Sequence, residues 1–318
     1  MNKLTWREIS AMLGSCCCSL MFGNSYMFTK RIVGEVTVFA LLSWRFLIGA
    51  VFMTLLVMVG VMRIDFRSKS PWPLLRMVIF MPAAYYILET YGISLTSASE
   101  SGTIIALIPI ASVIASAVIL REKASWVQVT GVLISTTGIL IIVLLKGTTP
   151  TFSALGYVLL MGAVVCDIGY VITGRQMTQY TVVEKTYFTC LTGAVLFTVC
   201  AAVESLRSGS FIDYVKLPFT DGSFLLSAVY LGLGCTTLAF LLLNRSVTIL
   251  GPVPASAFAG LSTVISVISG VVFLHEPFST LQGVATGLVL VGIYCVNILH
   301  VLWLRHRGGV GLQAENNG

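Results

Sequence analysis

The chain has 318 residues, of which 57% are hydrophobic and only 10% are charged. Soluble domains contain about 25% charged residues, so this composition cannot cover a water-facing surface and fits a protein embedded in lipid. The 19 Lys and Arg and 13 Asp and Glu give a net charge of +6, and in a membrane protein the positions of the cations matter more than their number. Nothing in this pattern predicts a nucleic-acid partner.

Apolar segments of about 20 residues, the length that a helix needs to cross a bilayer, recur along the whole chain. They cover residues 8–29, 37–60, 73–95, 98–120 and 125–145, and then 153–174, 186–206, 223–244, 253–274 and 279–304. Short turns separate them. The sequence therefore predicts an all-α membrane protein with ten transmembrane helices in two halves, residues 1–148 and 149–304, followed by a polar cytoplasmic tail at 305–318.

The positions of Lys and Arg predict the orientation of these spans. If the N-terminus is cytoplasmic, 13 of the 19 lie on the inner side and one, Arg45, lies within a span. The five on the outer side are Lys30, Arg31, Lys146, Arg207 and Lys216. Because positive loops stay on the cytoplasmic side, both termini are predicted to be cytoplasmic. The short loops and compact chain favour a multi-pass protein of a cell inner membrane.

A polar motif, Glu-x-x-Ser-x-x-Gln, occurs in both halves with an offset of 154 residues. Its positions are Glu122, Ser125 and Gln128 in the first half and Glu276, Ser279 and Gln282 in the second. An odd number of spans per half puts equivalent positions on opposite membrane faces, which predicts inverted repeats. We expect both serines to be helix N-caps, and both glutamates to stabilise the N-terminus of the helix that follows them.

This arrangement resembles the EamA-type transporters of the drug/metabolite transporter superfamily. The resemblance covers nearly the whole chain and includes Phe22-Gly23-Asn24 before Lys30 and Arg45-Phe46 in the second span. The second half departs from the pattern at Thr263, which stands where the first half has Pro109. The family implies a ten-helix bundle whose central cavity opens alternately to either side, often for export of amino acids or other small metabolites.

Charged residues within the spans indicate the candidate solute site, because a charge at the bilayer centre costs at least about 2.5 to 3.5 kcal/mol. Arg45 and Glu89 lie at similar depths, about 12 and 9 Å from the outer ends of their spans. Two interpretations remain open: a structural ion pair, or the charged wall of a binding cavity.

Asn24, Trp44 and Tyr85 lie in the same outer half, and the four-residue spacing puts Tyr85 on one helix face with Glu89. Aromatic and amide groups beside opposite charges favour a zwitterionic or amphipathic solute. The aromatic residues could equally belong to an interfacial belt or to helix packing. We therefore expect a secondary transporter that exports a small organic metabolite, such as an amino acid, an amine or a drug-like solute.

Asp167 in the sixth span, together with Glu89, is a candidate for proton coupling. Burial disfavours the charged form of a carboxyl group, so such a group can take up and release a proton during transport. The alternative for Asp167 is a hydrogen-bonded contact between helices. Family members that work by facilitated diffusion or exchange would need no such group.

Other classes of protein find little support. The three His are far apart or near the surface, and HExxH, GxSxG, phosphate-loop and CxxC patterns are all missing, so the sequence predicts no enzyme activity, metal site or cofactor. An exchanger of nucleotide-sugars or other phosphorylated metabolites is the alternative, but it would need several buried cations and only Arg45 is expected to be buried. The substrate, the direction of transport, the coupling ion and the oligomeric state, a homodimer included, stay open.

Overall fold

The computed structural model describes residues 6–66, 69–108, 110–111, 125–146, 153–250 and 259–295, and every regular element in these ranges is helical. The first half contains α1 (Trp6–Ile32), α2 (Val38–Met58), α3 (Trp72–Leu95), α4 (Ala98–Ile105) and α5 (Trp126–Lys146). The second half contains α6 (Ala154–Gln176), α7 (Val182–Arg207), α8 (Phe211–Thr220), α9 with its consecutive stretches Gly222–Val229, Tyr230–Ala239 and Phe240–Leu250, α10 (Ala259–Phe273) and α11 (Thr280–Tyr294).

Five helical segments in the described residues are long and apolar enough to cross a membrane. They are Val38–Met58, Trp72–Leu95, Ala154–Gly174, Val182–Arg207 and Gly222–Ser246. Large apolar side chains cover their outward surfaces, as at Val51 and Val195, which are 57% and 61% exposed. Such surfaces are unfavourable in water and are the normal exterior of a helix in lipid. The chain is a multi-pass α-helical membrane protein.

The observed helices differ from the predicted spans in one place, and some of the predictions fall outside the described residues. The predicted spans 98–120, 253–274 and 279–304 lie only partly within the described residues, and Glu122, Pro109, Pro252, Pro254 and the tail at 305–318 lie outside them. Between the seventh and eighth predicted spans, where a simple turn was expected, the chain forms α8. This expectation was wrong because α8 is short and amphipathic: it buries Tyr214 and Pro218 and exposes Ile212 and Phe219.

The predicted capping roles of the repeated motif were right for Ser279. Its hydroxyl accepts from the Gln282 backbone N–H at 3.2 Å, and the Gln282 side chain accepts from the Ser279 N–H at 2.9 Å. Glu276 does something else. Its carboxylate accepts from the backbone N–H groups of Ala98 and Ser99 at 2.6 and 3.1 Å, so it caps α4 of the first half and not the helix that follows it.

Equivalent helices α3 and α9 each contain a widened, π-type stretch, Ile79–Ala84 and Tyr230–Ala239. In α3 the widening coincides with Pro82, which has no N–H to donate, and with Met81, whose backbone is non-helical. In α9 the hydroxyl of Thr237 donates to the carbonyl of Gly232 at 3.1 Å. Such stretches change the direction of side chains and often occur at functional sites.

The two halves pack against each other through α2 and α7, the second and seventh spans. Ser43 contacts Thr198, with 3.1 Å between their hydroxyl oxygens, and Thr54 contacts Tyr187 at 3.3 Å. Because the residue number rises along α2 while that of its partner falls along α7, these two helices run antiparallel.

The same direction holds for two other pairs of corresponding helices. In the pair α5–α11, the Ser135 hydroxyl donates to the Val289 carbonyl at 3.0 Å, and a Cβ on Gly138 would lie 2.6 Å from the Ala285 carbonyl. In the pair α4–α10, Ser99 lies against Gly270, while Gly102 accepts a 3.4 Å hydrogen bond from Thr263. Each helix of these pairs therefore runs opposite to its counterpart in the other half.

Candidate functional site

Arg45 lies in the middle of α2 and is only 4% exposed. Its Nε donates to the Thr236 hydroxyl of α9 at 2.8 Å, and its Cζ lies 4.5 Å from the centre of the Tyr86 ring of α3. Gly232 allows α9 to come this close, since a Cβ there would be 2.6 Å from the Arg45 carbonyl oxygen. The hydroxyl and the ring stabilise the buried cation, and neither neutralises its charge.

Glu89 of α3 is also buried, at 7% exposure. The Tyr85 hydroxyl, one helical turn earlier and on the helix face that the four-residue spacing predicted, donates to Glu89 Oε1 at 2.8 Å. This hydrogen bond occupies one oxygen of the Glu89 carboxylate. The Tyr85 phenol is neutral, so it does not compensate the negative charge of Glu89.

The two opposite charges do not form an ion pair with each other. In the described part of the chain, the only contact within 4.0 Å between a basic and an acidic side chain joins Lys69 to Glu184. Arg45 and Glu89 are within electrostatic range of one another. No hydrogen bond to the Arg45 Nη atoms or to Glu89 Oε2 is found among the described residues. This disfavours the structural ion pair and leaves both groups with unused hydrogen-bonding capacity.

Asp167 of α6 belongs to the same region. It interacts electrostatically with Glu89 and with Tyr170, which lies almost one turn later in the helix. Its side chain is partly accessible, and within the ranges that the structure describes it has neither a hydrogen bond nor an ion pair. The alternative of a hydrogen-bonded helix contact therefore finds no partner there.

Two predicted site residues make structural contacts instead. Asn24 accepts a 2.6 Å hydrogen bond from Ser269 and donates to the Leu20 carbonyl at 3.0 Å, so it joins α1 to α10. The Trp44 indole donates to the Tyr214 carbonyl at 3.2 Å. Consecutive residues on a helix point about 100° apart, so Trp44 faces α8 while Arg45 faces α3 and α9. The structure brings together Arg45, Tyr85 and Glu89, and it does not bring Trp44 to them.

Beside Arg45 lies a narrow space, too small to hold a water molecule, that no sequence pattern predicted. Its lining is uncharged and combines aromatic rings with hydroxyl groups. The lining residues are Tyr86, Tyr170, Thr186, Thr189, Thr236 and Phe240. Threonine is common in transmembrane helices, where it usually hydrogen-bonds to its own backbone, so nothing in the sequence distinguishes these threonines from others.

A larger groove of about 470 Å³ lies between α2 and α7 on the outside of the bundle. Its walls are almost entirely aliphatic, with Leu47, Val51, Leu191 and Val195 among them. An open apolar groove on a lipid-facing surface fits acyl chains and offers nothing to a charged solute. We therefore place the candidate site at Arg45 and Glu89.

Metal-binding chemistry finds no support in the described ranges. Among these residues, no three His, Cys, Asp or Glu side chains lie close enough together to hold a metal ion. The cysteines are free thiols. The groups available for binding are one cation, two carboxyl groups, phenols and hydroxyls, which suit non-covalent recognition of an organic solute.

Several relatives of known sequence are named as transporters without a stated substrate. The chain is 27% identical to the "Uncharacterized transporter YcxC" of Bacillus subtilis over 294 residues, which cover 92% of this chain and 94% of that protein. It is 24% identical over 215 residues to a "Probable terminal-alkyne amino-acid exporter" of Streptantibioticus cattleyicolor, covering 68% and 69% of the two chains. A solved crystal structure has the same fold, with a TM-score of 0.66 at 20% identity over 91% of this chain and 99% of that one.

The family comparison bears directly on the predicted repeat. The model of the EamA-like transporter family matches this chain twice, at residues 9–144 and at residues 154–298. Together the two matches cover most of the chain, and they confirm the resemblance that the spans and the repeated polar motif indicated. The chain belongs to the EamA-like transporter family.

Proposed function

We propose that this protein is a secondary transporter that exports a small zwitterionic metabolite, an amino acid or a close analogue, by alternating access. The observation that carries the proposal is the arrangement of Arg45 and Glu89. Two buried opposite charges that are near each other, and not paired, offer a carboxylate site and an ammonium site in one region. A zwitterion satisfies both at once.

The relatives also bear on the class of solute. One of them is named as a probable exporter of terminal-alkyne amino acids, at 24% identity. An amino-acid analogue carries the carboxylate and the ammonium group that Arg45 and Glu89 would bind. Within the same scheme Asp167, which has no partner in the described residues, is the candidate for proton coupling.

We propose further that the chain has ten spans in two inverted halves, residues 1–148 and 149–304, with a cytoplasmic tail at 305–318. Two features support it: equivalent helices pair in antiparallel directions, and α3 and α9 share a π-type stretch. A two-fold axis in the membrane plane relates halves in this way and is the usual basis of alternating access.

The cation distribution supports an inner-membrane orientation with both termini in the cytoplasm. Exposed positions in the loops provide a test in a cysteine-free background, by labelling with a membrane-impermeant thiol reagent. Gly34→Cys and Gly209→Cys, on the outer side in this orientation, should be labelled on intact cells. Arg63→Cys should be labelled only after permeabilisation. The reverse pattern would overturn the orientation.

Contacts between and within the halves join helices at the end that this orientation makes extracellular. Glu276 of the second half holds the N-terminus of α4, and its Oε2 accepts a hydrogen bond from the Ser99 hydroxyl at 2.7 Å. In the first half, the Lys30 ammonium donates to the carbonyls of Ile93 and Ser94 at 3.1 and 3.0 Å, at the end of α3. A transporter that opens outward has to break the contact between Glu276 and α4. We therefore propose that this contact is part of the outer gate.

An exchanger of nucleotide-sugars or other phosphorylated metabolites is less well supported. Among the Lys and Arg side chains that the structure describes, only Arg45 is buried. The partly buried Lys30 already donates to two carbonyls. A single guanidinium matches one carboxylate better than a pyrophosphate.

Counterflow into liposomes that contain purified protein tests the function directly. The panel should contain neutral, acidic and basic amino acids, simple amines and nucleotide-sugars, each with and without an imposed pH gradient. We expect exchange of at least one neutral amino acid. Exchange of nucleotide-sugars alone would replace the proposal with the phosphorylated-metabolite alternative.

A further inference from the structure

We propose that Thr186 is the recognition group of a side-chain subsite that binds an uncharged hydrogen-bonding group, a hydroxyl or an amide, on the transported solute. The subsite is the narrow space beside Arg45, which in this conformation is too small to hold a water molecule. The inference rests on the proposed function, because it takes the charged head of the solute to lie at Arg45 and Glu89.

Thr186 of α7 has an unusual environment for a threonine in a transmembrane helix. Its side chain is only 2% exposed, and its hydroxyl oxygen has no hydrogen-bond partner among the described residues. Thr54 and Thr192 behave ordinarily, since each donates to a backbone carbonyl four residues earlier, at 2.7 Å in both cases. A buried hydroxyl without a partner is costly, so its presence at the wall of a cavity requires an explanation.

The neighbouring threonines of the subsite already have partners. Thr236 accepts from Arg45, and the hydroxyl of Thr189 lies beside that of Tyr170. Of the three threonine hydroxyls at this space, the one on Thr186 is therefore the group left for an incoming ligand.

The lining defines the chemical class of that ligand. Thr186, Thr189 and Thr236 supply neutral hydroxyls, and Tyr86 and Phe240 supply ring surfaces. No lining residue carries a charge, so a charged side chain would be desolvated there without a counterion. A neutral group that donates or accepts one hydrogen bond gains a partner in Thr186.

The position of the space relative to Arg45 decides which part of the solute enters it. Thr236 and Tyr86 line the space and also contact Arg45. A solute whose carboxylate binds the guanidinium therefore has its side chain directed toward Thr186. Because the space has no room even for a water molecule in this conformation, α7 and α9 must move apart before a solute side chain can enter.

Competition between two amino acids of nearly equal shape tests the subsite. L-Threonine and L-valine differ by a hydroxyl in place of a methyl group. We expect the wild-type protein to exchange threonine better than valine, and Thr186→Val to lower the threonine-to-valine ratio about fivefold, the effect of one hydrogen bond. Thr186→Ser, which keeps the hydroxyl, should preserve the preference.

Thr90→Val is the matched control. The Thr90 hydroxyl is also buried and unpartnered within the described ranges, but Thr90 does not line the space, so the ratio should stay at the wild-type value. Removing an unpartnered buried hydroxyl should not harm folding, which the melting temperatures of both variants will show.

The outcomes separate this inference from the proposed function. If Thr186→Val keeps the wild-type ratio while Arg45→Met weakens exchange of both amino acids equally, the subsite is wrong and the proposed function stands. If the folded wild-type protein exchanges no amino acid in the panel, the proposed function is wrong and the subsite falls with it. An equal fall in the ratio for Thr90→Val would also overturn the subsite.

Discussion

Arg45 and Glu89 are both buried and lie within electrostatic range, yet each forms its side-chain hydrogen bond with a neutral neighbour and not with the other. Paired charges would neutralise each other and form a closed structural contact. Separate charges keep an unsatisfied demand for counterions, which is costly inside a bilayer unless a solute or water meets it. Substitutions at these charges, and in the packing that holds them, should therefore change transport in distinct ways.

Arg45→Lys should impair transport although it keeps the positive charge. Lysine has neither the planar fork that contacts Thr236 nor the flat face that lies over Tyr86. We expect the apparent affinity for solute to fall about tenfold, the loss of one charge-assisted hydrogen bond, in counterflow measurements. Arg207→Lys, an exposed substitution in the last turn of α7, is the control. Unchanged affinity in Arg45→Lys would mean that the guanidinium does not contact the solute.

Asp167→Asn should separate coupling from binding. Asparagine cannot carry a proton, so uptake driven by an imposed pH gradient should be lost while counterflow without a gradient continues. Glu89→Gln, by contrast, should reduce counterflow itself, because Glu89 contacts the ammonium group of the solute. Asp213→Asn, at an exposed position of α8, should change neither. If Asp167→Asn still responds fully to the gradient, Asp167 is not the coupling group.

Glu276→Gln should loosen the contact between the halves. The amide lacks the charge that favours the N-terminus of α4 and can no longer accept all three hydrogen bonds from Ala98 and Ser99. We expect a loss of about 1 kcal/mol in the free energy of unfolding. In a cysteine-free background, an external thiol reagent should also label Thr103→Cys, one turn deeper in α4, more rapidly.

The exposed Glu35→Gln, in the loop between α1 and α2, provides the control for the Glu276 variant. It makes the same chemical change near the same end of the bundle, away from α4. If the reagent labels position 103 at the same rate with and without the Glu276→Gln substitution, this contact is not part of a gate.

Gly232→Ala should destabilise the protein by disturbing the approach of α9 to α2. The new Cβ would lie 2.6 Å from the Arg45 carbonyl, which is backbone and cannot easily move aside. We expect a loss of about 1 to 3 kcal/mol, measured by thermal unfolding in detergent. Gly174→Ala, whose Cβ would meet only the end of Met77 at 3.5 Å, should be tolerated. Similar melting temperatures for both variants would contradict the tight packing at Gly232.

The buried charges of the candidate site could be identified from the sequence because the cost of burying a charge is a local property. Arg45 and Glu89 stood out within apolar spans, and the spacing of Tyr85 and Glu89 predicted their contact. Thr236 could not be found in this way. It is 191 residues from Arg45, and its position depends on the pairing of α2 with α9 and on the π-type stretch that contains it.

The partners of Trp44 and Glu276 also could not be predicted, because tertiary contacts determine them. Trp44 is next to Arg45 in the chain, but helix geometry turns it toward Tyr214. Glu276 was expected to serve its own half, and it caps a helix of the other half because Gly270 leaves room for the carboxylate beside Ser99. The repeat itself was visible in the sequence, since its polar motif lies in an otherwise apolar background.

The most direct test of the central claim is charge selectivity in counterflow. An exchanged amino acid should be compared with its amine, which lacks the carboxylate, and with its hydroxy acid, which lacks the ammonium group, as competitors for the wild-type protein, Arg45→Met and Glu89→Gln. The account predicts that the zwitterion competes best with the wild type, that Arg45→Met no longer favours it over the amine, and that Glu89→Gln no longer favours it over the hydroxy acid. If both folded variants keep the wild-type order of competitors, Arg45 and Glu89 do not bind the two charges of the solute.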